Sequence, residues 1–382
     1  GTPAGDAAAT AAGLAATAVL LAAGCGGDPE ESGSPAPVRE PDAPAPSSEA
    51  GGPAADATGG GDAAPALPAT GFRLVDVTEA LGVRASSRTR PGETLHMPAL
   101  VGGGVAALDA DGDGRLDLYF TSGADPQADP PLRNRLLRQR ADGTFVDATD
   151  ASGLGDPGDG QAVAVADVDN DGDVDVFVAN AGPDRLYLNR GDGTFDDVAA
   201  EAGVDGGDGW SASASFVDVD RDGWLDLFVT RYVDVDPDRD CVDEAGRPEF
   251  CGPAAFPGLP DRLYRNRGDG TFEDVSEASG IASQALRGLG VVAVDLDDDG
   301  WPDLFVANDG DPNQLWRNRG DGTFVEDAII AGTAYNADGR AEAGMGVVAG
   351  DPDGDGDLDL FLTHLGGETN TLYRAAGGLG WD

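Results

Sequence analysis

The stretch VADVDNDGDVDVFVAN, residues 165–180, crowds four aspartates between two apolar runs. Asp167, Asp169, Asp171 and Asp175 all fall within nine residues. Two like charges about 4 Å apart repel by about 4 kcal/mol at an effective dielectric constant of about 20. A fold that holds these carboxylates together needs a cation to neutralise them. The stretch therefore predicts a cation-binding loop.

The same acidic pattern occurs five times along the chain. Its form is D-x-D-x-D-G-x-x-D, and the copies occupy residues 109–117, 167–175, 218–226, 295–303 and 351–359. Such self-similarity indicates a repeat architecture in which each copy belongs to one supersecondary unit. The longest interval lies between the third and fourth copies and is read as a regular unit with an insertion.

A second signature, RLYLNRGDGTF at residues 185–195, accompanies the acidic pattern and has counterparts in three other units. Its Asp-Gly pair predicts a β-hairpin, because Gly tolerates positive φ. In VDVFVAN, Val176 and Val178 alternate with Phe177 as residues of a strand do. The sequence therefore predicts an all-β fold, a β-propeller of four-stranded blades. Five acidic repeats are visible, and the chain is also read as a fragment of a seven-bladed ring.

The acidic loops have the spacing of a calcium site. Positions 1, 3 and 5 direct carboxylates to one centre, the Gly at position 6 permits a sharp turn, and Asp at position 9 adds further oxygens. Hard oxygen ligands in this number suit Ca²⁺ better than Mg²⁺. We predict up to five Ca²⁺ ions. The predicted ligands are Asp109, Asp111, Asp113, Asp117, Asp167, Asp169, Asp171, Asp175, Asp218, Asp220, Asp222, Asp226, Asp295, Asp297, Asp299, Asp303, Asp351, Asp353, Asp355 and Asp359.

Other readings of the acidic loops are weaker. An EF-hand needs Glu at position 12 and flanking helices, whereas position 12 here is apolar, as at Val178 and Leu362. A solvated turn explains one acidic loop, but not five copies in register. Adaptation to high salt remains an alternative origin of the formal charge of −46. With 70 acidic and 24 basic residues, the chain lacks the basic patches that nucleic acid requires.

The first 70 residues are interpreted as targeting and tether segments. Residues 1–25 end in LAATAVLLAAGC and are similar to a lipoprotein signal with Cys25 as the lipidated residue. An Ala-rich segment with an incidental Cys is the alternative. Residues 26–70 are rich in Pro, Gly and Ala and predict a disordered tether, and residues 71–382 form the propeller. We expect an exported protein, either lipid-anchored in a bacterial envelope or extracellular.

Cys241 and Cys251 enclose a short polar loop, and in an exported protein such a pair predicts a disulfide. A reduced pair is the alternative.

At the ends of the chain, residues 72–83 match a fourth strand and its trailing loop, whereas the fifth unit stops before a clear fourth strand. Ring closure by strand exchange and truncation of a longer ring both account for this pattern.

The stretches VDVDRDGWLDLFVTRYVD and CGPAAFPGLPDRLYRNRGDGTFEDVS resemble FG-GAP (VCBS-type) repeats of integrin-α-like β-propellers. The chain is most similar to bacterial members of the cartilage acidic protein family, which often carry an ASPIC/UnbV region. The resemblance covers about residues 72–373. It implies a propeller, seven-bladed in the integrin type, with Ca²⁺ bound by the four aspartates of each loop.

The remaining signals do not identify an enzyme. His96 and His364 lie in different repeats and have no visible Ser or Cys partner, so a nucleophilic triad is unsupported. The Arg-Gly-Asp tripeptides occupy the predicted hairpin turns, which argues against an adhesion role. We expect a monomeric, non-enzymatic surface module that binds an unknown protein or glycan. An enzyme acting on polysaccharide, or its accessory domain, and a structural envelope spacer are the alternatives.

Overall fold

The computed structural model describes residues 74–84, 97–100, 103–123, 132–236, 238–243, 245–375 and 380–381. The chain from Thr78 onward belongs to one compact unit, and Leu74–Val77 belong to a second unit. The predicted signal segment with Cys25, the predicted tether and His96 lie outside the described residues.

Five antiparallel sheets follow one another along the chain and confirm the all-β prediction. We call them blades 1 to 5. Blade 1 comprises Val105–Leu108, Asp117–Phe120, Arg135–Gln139 and Phe145–Asp147. Blade 2 comprises Gly160–Ala166, Asp175–Asn180, Arg185–Asn189 and Phe195–Asp197. Blade 3 comprises Ser211–Val217, Asp226–Arg231, Arg262–Asn266 and Phe272–Asp274. Blade 4 comprises Gly288–Val294, Asp303–Asn308, Gln314–Asn318 and Phe324–Glu326, and blade 5 comprises Gly344–Gly350, Asp359–His364 and Thr371–Tyr373.

The second strand of a blade is the most deeply buried. All six residues of Asp175–Asn180 are buried, although the sequence alternates only weakly. This strand pairs with the first and third strands of its own sheet, and both of its faces are covered by protein. Strands covered on both faces read as nearly continuous apolar runs.

The apolar core lies between successive blades. Phe177 and Leu186 of blade 2 share one cluster with Leu227, Val229 and Tyr264 of blade 3. Equivalent clusters join blade 1 to blade 2, blade 3 to blade 4 and blade 4 to blade 5. One face of each blade therefore contacts the next blade along the chain, and we call it the trailing face. The opposite face contacts the previous blade, and we call it the leading face.

A one-turn helix follows each of the first four fourth strands. The four helices are Thr149–Ser152, Ala199–Ala202, Ser276–Ser279 and Ala328–Ala331. Each ends at a Gly in the left-handed region, such as Gly203 with φ 80°. A Cβ at Gly153 would lie 3.1 Å from the Phe195 carbonyl oxygen of the next blade. Gly is therefore required both by φ and by the close contact between blades.

The remaining elements are short. The 3₁₀ helices are Met97–Leu100, Pro253–Ala255 and Ile281–Ser283. The insertion of blade 3 contains a hairpin of Cys241–Val242 and Pro248–Glu249, and Leu259–Pro260 pairs with Ala285–Leu286. Cys241 and Cys251 form a disulfide with a Cα–Cα distance of 5.2 Å, which confirms that prediction. Within the described part of the chain, no helix has the length and apolarity needed to cross a bilayer.

The ends of the described chain differ in part from expectation. Residues 72–83 are expected to match a fourth strand and its trailing loop, but Leu74–Val77 is not a strand, and Thr78–Leu81 forms a one-turn helix where a loop is expected. A Cβ at Gly82 would lie 3.2 Å from the Phe145 carbonyl oxygen, which repeats the contact seen between blades. In blade 5, Trp381 bridges to Ala375, at the place where Phe195 pairs with Asn189 in blade 2. The aromatic position of a fourth strand is therefore present, although the sequence pattern does not reveal it.

Candidate metal centres

The acidic loops all connect the first and second strands of a blade and therefore lie at the same edge of each sheet. The loop of blade 2 is closed by its own aspartates. Asp167 accepts hydrogen bonds from the backbone N–H groups of Asp171 and Gly172, at 3.1 and 3.0 Å. Asp171 accepts one from the N–H of Asp173 at 2.9 Å. These bonds curl the backbone so that the carboxylates face a common centre.

Two positions of each loop adopt the left-handed region. One is the Gly at position 6, such as Gly172 with φ 98°. The other is position 4, which the sequence pattern did not identify. Position 4 is Gly in blades 1 and 5. In blades 2, 3 and 4 it is Asn170, Arg221 and Asp298, with φ values of 59°, 59° and 63°. Asn and Asp tolerate this conformation better than most residues.

The structure brings the predicted ligands together within each loop. In every loop, three carboxylate oxygens lie within 4.8 Å of one another. In blades 2 and 3 the group contains positions 1, 3 and 9, and in the other blades it contains positions 1, 3 and 5. The groups are Asp109, Asp111 and Asp113; Asp167, Asp169 and Asp175; Asp218, Asp220 and Asp226; Asp295, Asp297 and Asp299; and Asp351, Asp353 and Asp355.

The aspartate at position 9 is the most deeply buried member of each loop. Asp175 accepts hydrogen bonds from the N–H groups of Val168 and Asn189, at 2.9 and 2.8 Å. The pKa of Asp175 is nevertheless raised to about 7, mainly by desolvation and to a smaller extent by the charges of Asp169 and Asp171. Burial likewise raises the pKa values of Asp226 and Asp303 to about 7. A divalent cation at the loop would favour the ionised form.

Several carboxylate oxygens in the loops lack a protein partner. Asp111 Oδ1, Asp220 Oδ1 and Asp359 Oδ2 are buried and accept no hydrogen bond. A buried carboxylate oxygen without a partner is costly, and a hard cation would satisfy it. The chemistry of the donor set, the convergence of the carboxylates and these three oxygens all fit Ca²⁺. The assignment of the aspartates as ligands remains a prediction.

Arginines of the third strands distinguish the loops from one another. Arg138 contacts Asp111 at 3.2 Å, and Arg317 and Arg374 pair with Asp297 and Asp353. Each of these aspartates occupies position 3 of the loop in the same blade. The corresponding residue of blade 2 is Leu188. The loop of blade 2 therefore has no arginine at this place to compete with a cation.

Asparagines at the end of the third strand join neighbouring loops. Asn266 of blade 3 donates from its N–H to Asp226 at 2.8 Å, and from Nδ2 to the Val168 carbonyl oxygen of blade 2 at 2.8 Å. Asn189 and Asn318 make the same bonds between blades 1 and 2 and between blades 3 and 4, at 3.2 and 2.8 Å. Blade 5 has Ala375 at this position, so the hydrogen-bonded series ends at blade 4.

The Arg-Gly-Asp tripeptides form tight turns at the same edge. Asp192 accepts hydrogen bonds from the N–H and the hydroxyl of Thr194, at 3.1 and 2.6 Å. The hydrogen bond from the Thr194 side chain lowers the pKa of Asp192. A Cβ at Gly268 would lie 2.6 Å from the Trp224 ring, so Gly is needed there for packing. These contacts support a turn role for the tripeptides.

At the opposite edge, an Asn or Asp precedes every third strand, which sequence reasoning missed. Its side chain accepts the N–H at the end of the second strand, as from Asn180 to Asp184 at 2.8 Å. The five residues are Asn134, Asp184, Asp261, Asn313 and Asn370. The sequence signal for these residues was their common position immediately before the third strand. It is hard to recognise because some blades have Asn and others have Asp at this position.

A cavity of about 210 Å³ opens at this second edge. It lies between the loops of blades 2 and 3, beside the disulfide-bearing insertion. Its lining combines carboxylates, apolar side chains and exposed backbone, and comprises Pro98, Ala181, Gly182, Asp208, Gly209, Trp210, Val233, Asp234 and Val235. Trp210 also stacks edge-to-face on Tyr232, with ring centroids 5.0 Å apart.

Comparison with protein families gives one match over most of the blades. The model of the FG-GAP-like repeat matches residues 109–178, 167–229, 258–306 and 295–362. Cartilage acidic protein 1 of Homo sapiens is 28% identical over 296 residues, covering 71% of this chain and 40% of that relative. The Mus musculus protein of the same name is 28% identical over 293 residues, covering 71% and 41%. The chain thus spans well under half the length of these relatives.

Solved structures give weaker likenesses. An Agrocybe aegerita lectin that recognises non-reducing terminal N-acetylglucosamine has a TM-score of 0.32 at 20% identity, covering 57% of this chain and 49% of the lectin. The V. cholerae biofilm matrix protein Bap1 has a TM-score of 0.37 at 16% identity, covering 68% and 34%. At these TM-scores, neither structure bears on function.

Proposed function

The chain belongs to the FG-GAP-like repeat family, and from that premise we propose that it is an exported, calcium-stabilised binding module of the cell surface. The proposal has three parts: calcium in the acidic loops, a ligand at the opposite edge, and export. Each part rests on different residues and has its own test.

The observation that carries the calcium proposal is the set of buried, unpartnered oxygens on Asp111, Asp220 and Asp359. They lie in three different loops, and Asp111 and Asp220 each have two further carboxylates close by. Asp359 lies in the fifth loop, where Asp351, Asp353 and Asp355 form the group of three carboxylates. An ion in each loop would neutralise this charge and tie the first and second strands together. At a free concentration of about 100 Kd, it would stabilise the folded state by about 2.7 kcal/mol per site.

Calorimetric unfolding of the full chain tests this part. We expect the melting temperature to rise with Ca²⁺, to fall with a chelator and to respond less to Mg²⁺. Asp169→Asn should reduce the calcium-dependent shift. Asp192→Asn is the matched control, because Asp192 lies at the same edge but bonds only within its own turn. An identical melting temperature with calcium and with chelator would contradict calcium binding.

The ligand-binding part rests on the cavity between the loops of blades 2 and 3. Apolar Val233 and Trp210 beside Asp208 and Asp234 form the mixture of apolar surface and few polar groups that ligand sites use. We propose that a protein loop or a glycan binds here and that no reaction follows. Screening on a glycan array, with Val235→Asp as the blocking variant because Val235 is only partly buried, tests the site. Release of product from a polysaccharide would instead support the enzymatic alternative.

The export part rests on the disulfide between Cys241 and Cys251, because disulfides persist in oxidising compartments. Lipidation at Cys25 is a further proposal from the sequence alone. Fractionation of the native host should place the protein outside the cytoplasm, and Cys25→Ser should release it from the membrane fraction. Recovery of the reduced protein in the cytoplasm would contradict export.

A further inference from the structure

The arginine of the third strand contacts different partners in different blades. In blade 1 the Arg138 guanidinium lies 3.2 Å from the carboxylate of Asp111, at position 3 of the acidic loop. The arginine of blade 4 pairs with position 3 of its own loop in the same way. Blade 3 also has an arginine at this place, Arg265, but its guanidinium donates a hydrogen bond to Glu273 at 2.8 Å. In the part of the chain that the structure describes, Arg265 makes no ion pair with the loop.

The residue opposite this arginine on the fourth strand accounts for the difference. In blades 1 and 4 it is a valine, Val146 or Val325. In blade 3 it is Glu273, directly across from Arg265. A valine side chain accepts no hydrogen bond, so the arginine of blades 1 and 4 pairs with the loop. Opposite charges at facing positions of two strands attract each other, so Glu273 keeps Arg265 on the sheet.

Two arginines stabilise the ionised form of Glu273. Its Oε2 lies 2.8 Å from Arg265 and 3.4 Å from Arg267. The hydrogen bond from Arg265, together with the charge of Arg267, lowers the pKa of Glu273. The glutamate therefore stays negatively charged at neutral pH, and its attraction for Arg265 persists.

The acidic loop of blade 3 also has a different arrangement of carboxylates from the loops that contact an arginine. Its converging group contains positions 1, 3 and 9, as in blade 2, where Leu188 stands in place of the arginine. In blades 1 and 4 the group contains positions 1, 3 and 5. In blade 3, Oδ1 of Asp220 at position 3 is buried and accepts no hydrogen bond. The loop of blade 3 therefore resembles a loop that has no arginine.

We propose that Glu273 is a positioning residue that holds Arg265 away from the acidic loop of blade 3 and so leaves that loop open to calcium. This inference rests on the calcium part of the proposed function. In blades 1, 4 and 5 the arginine and the ion compete for the carboxylate at position 3, so calcium must displace the arginine. The loops of blades 2 and 3 therefore fill at lower calcium concentrations than the other three.

Glu273→Val tests the proposal, because it gives blade 3 the valine of blades 1 and 4. Calcium is titrated calorimetrically into the chelator-treated full chain. Asp218→Ala, which lacks position 1 of the loop, identifies the part of the isotherm that belongs to blade 3. We expect Glu273→Val to weaken that site about two- to fivefold and to leave the other sites unchanged. Unchanged affinity at blade 3 would overturn the proposal.

Asp196→Val is the matched control for the lost charge. Asp196 occupies the same place in blade 2, where it faces Leu188 and no arginine can be released toward the loop. We expect the calcium affinity of blade 2 to change less than that of blade 3 in Glu273→Val. Equal weakening in the two variants would show that the lost negative charge alone is responsible, and would overturn the positioning role.

Adding Arg265→Leu separates positioning from a structural role of the ion pair. The side chains of Arg265 and Glu273 are 46% and 39% exposed, so their replacement should leave the fold intact. The double variant with Glu273→Val has no arginine to enter the loop, so its blade 3 site should recover the affinity of the unmodified chain. A double variant that binds as weakly as Glu273→Val would overturn the proposal.

Val146→Glu is the reciprocal test in blade 1. The new carboxylate should draw Arg138 away from Asp111 and tighten that site about two- to fivefold. In a chain that also carries Arg138→Leu, Val146→Glu should give no further gain. An equal gain with and without Arg138 would overturn the proposal. A folded protein that binds no calcium would contradict the proposed function itself, whereas calcium binding that is independent of Glu273 would overturn only this inference.

Discussion

Asp175, Asp226 and Asp303 hold the ninth position of their loops, and burial raises their pKa values to about 7 from the ordinary 3.8. Between these two pH values, the folded protein without calcium binds more protons than the unfolded chain. The stability of the ion-free protein therefore falls as pH rises through that window. Calcium needs the ionised form, so calcium affinity should rise over the same range.

The first prediction concerns this competition between protons and calcium. Lowering the pH from about 8 to about 6 should weaken binding at these three loops about tenfold, since each must release one proton. Titration calorimetry at the two pH values measures the affinity. Repeating it in buffers of different ionisation enthalpy counts the protons released. Affinity that is independent of pH would contradict the role given to the ninth position.

The second prediction concerns Leu188, which stands where three other blades have an arginine that reaches the loop. We expect the loop of blade 2 to bind calcium more tightly than the loops of blades 1, 4 and 5, in which an arginine pairs with the aspartate at position 3. Leu188→Arg should weaken that site about two- to fivefold, because a partly exposed ion pair with Asp169 would compete with the ion. Leu188→Met is the control, because it also replaces the branched leucine side chain by an unbranched one but adds no charge. Equal affinity in the two variants would show that these arginines do not compete.

At the scale of elements, the loops of blades 1 to 4 are joined by Asn189, Asn266 and Asn318. The third prediction is that Asn266→Ala destabilises the calcium-bound protein by about 1–3 kcal/mol, because it leaves the Val168 carbonyl oxygen unpaired. Denaturant unfolding in saturating calcium measures this change. Asn170→Gly is the matched control, since Asn170 also bonds to the next blade, to the Gly223 carbonyl oxygen at 3.2 Å, but is exposed. Equal effects would contradict a structural role for the buried bond.

The reverse substitution offers a complementary prediction. Ala375→Asn would place the same side chain in blade 5, near the Leu296 carbonyl oxygen of blade 4. We expect a gain of about 0.5–1.5 kcal/mol in the free energy of unfolding. Ala375→Ser, which is too short to span the gap, is the control. No gain over the serine variant would indicate that blades 4 and 5 do not meet in the register of the other pairs.

At the scale of the whole molecule, the blade pattern was predictable because each repeat carries its own local signals. The Gly at position 6 and the Asp-Gly turns fixed the hairpins, and the spacing fixed positions 1, 3, 5 and 9 of the loops. The side chain of Asn266 could not be assigned in the same way. Its hydrogen-bond partner, the Val168 carbonyl oxygen, lies 98 residues away. No periodic pattern in the sequence indicates such a contact between blades.

Two further features could not be predicted from the sequence, each for a different physical reason. Trp381 occupies the place of a Phe in the other blades, and no hairpin pattern surrounds it to reveal the equivalence. Leu74–Val77 has the composition of a fourth strand but forms none, since a strand needs a partner sheet as well as a suitable sequence. The local sequence pattern was therefore sufficient to predict the individual blades. The features that it did not predict depend on packing between blades.

The number of calcium ions bound per chain tests the central claim most directly. Titration of calcium into the chelator-treated protein, followed calorimetrically to millimolar concentration, should reveal up to five sites, with the site in blade 2 tighter than those in blades 1, 4 and 5. Asp167→Ala should remove the site in blade 2 and leave the others. Saturating calcium without measurable binding, in a protein that is folded, would contradict the account.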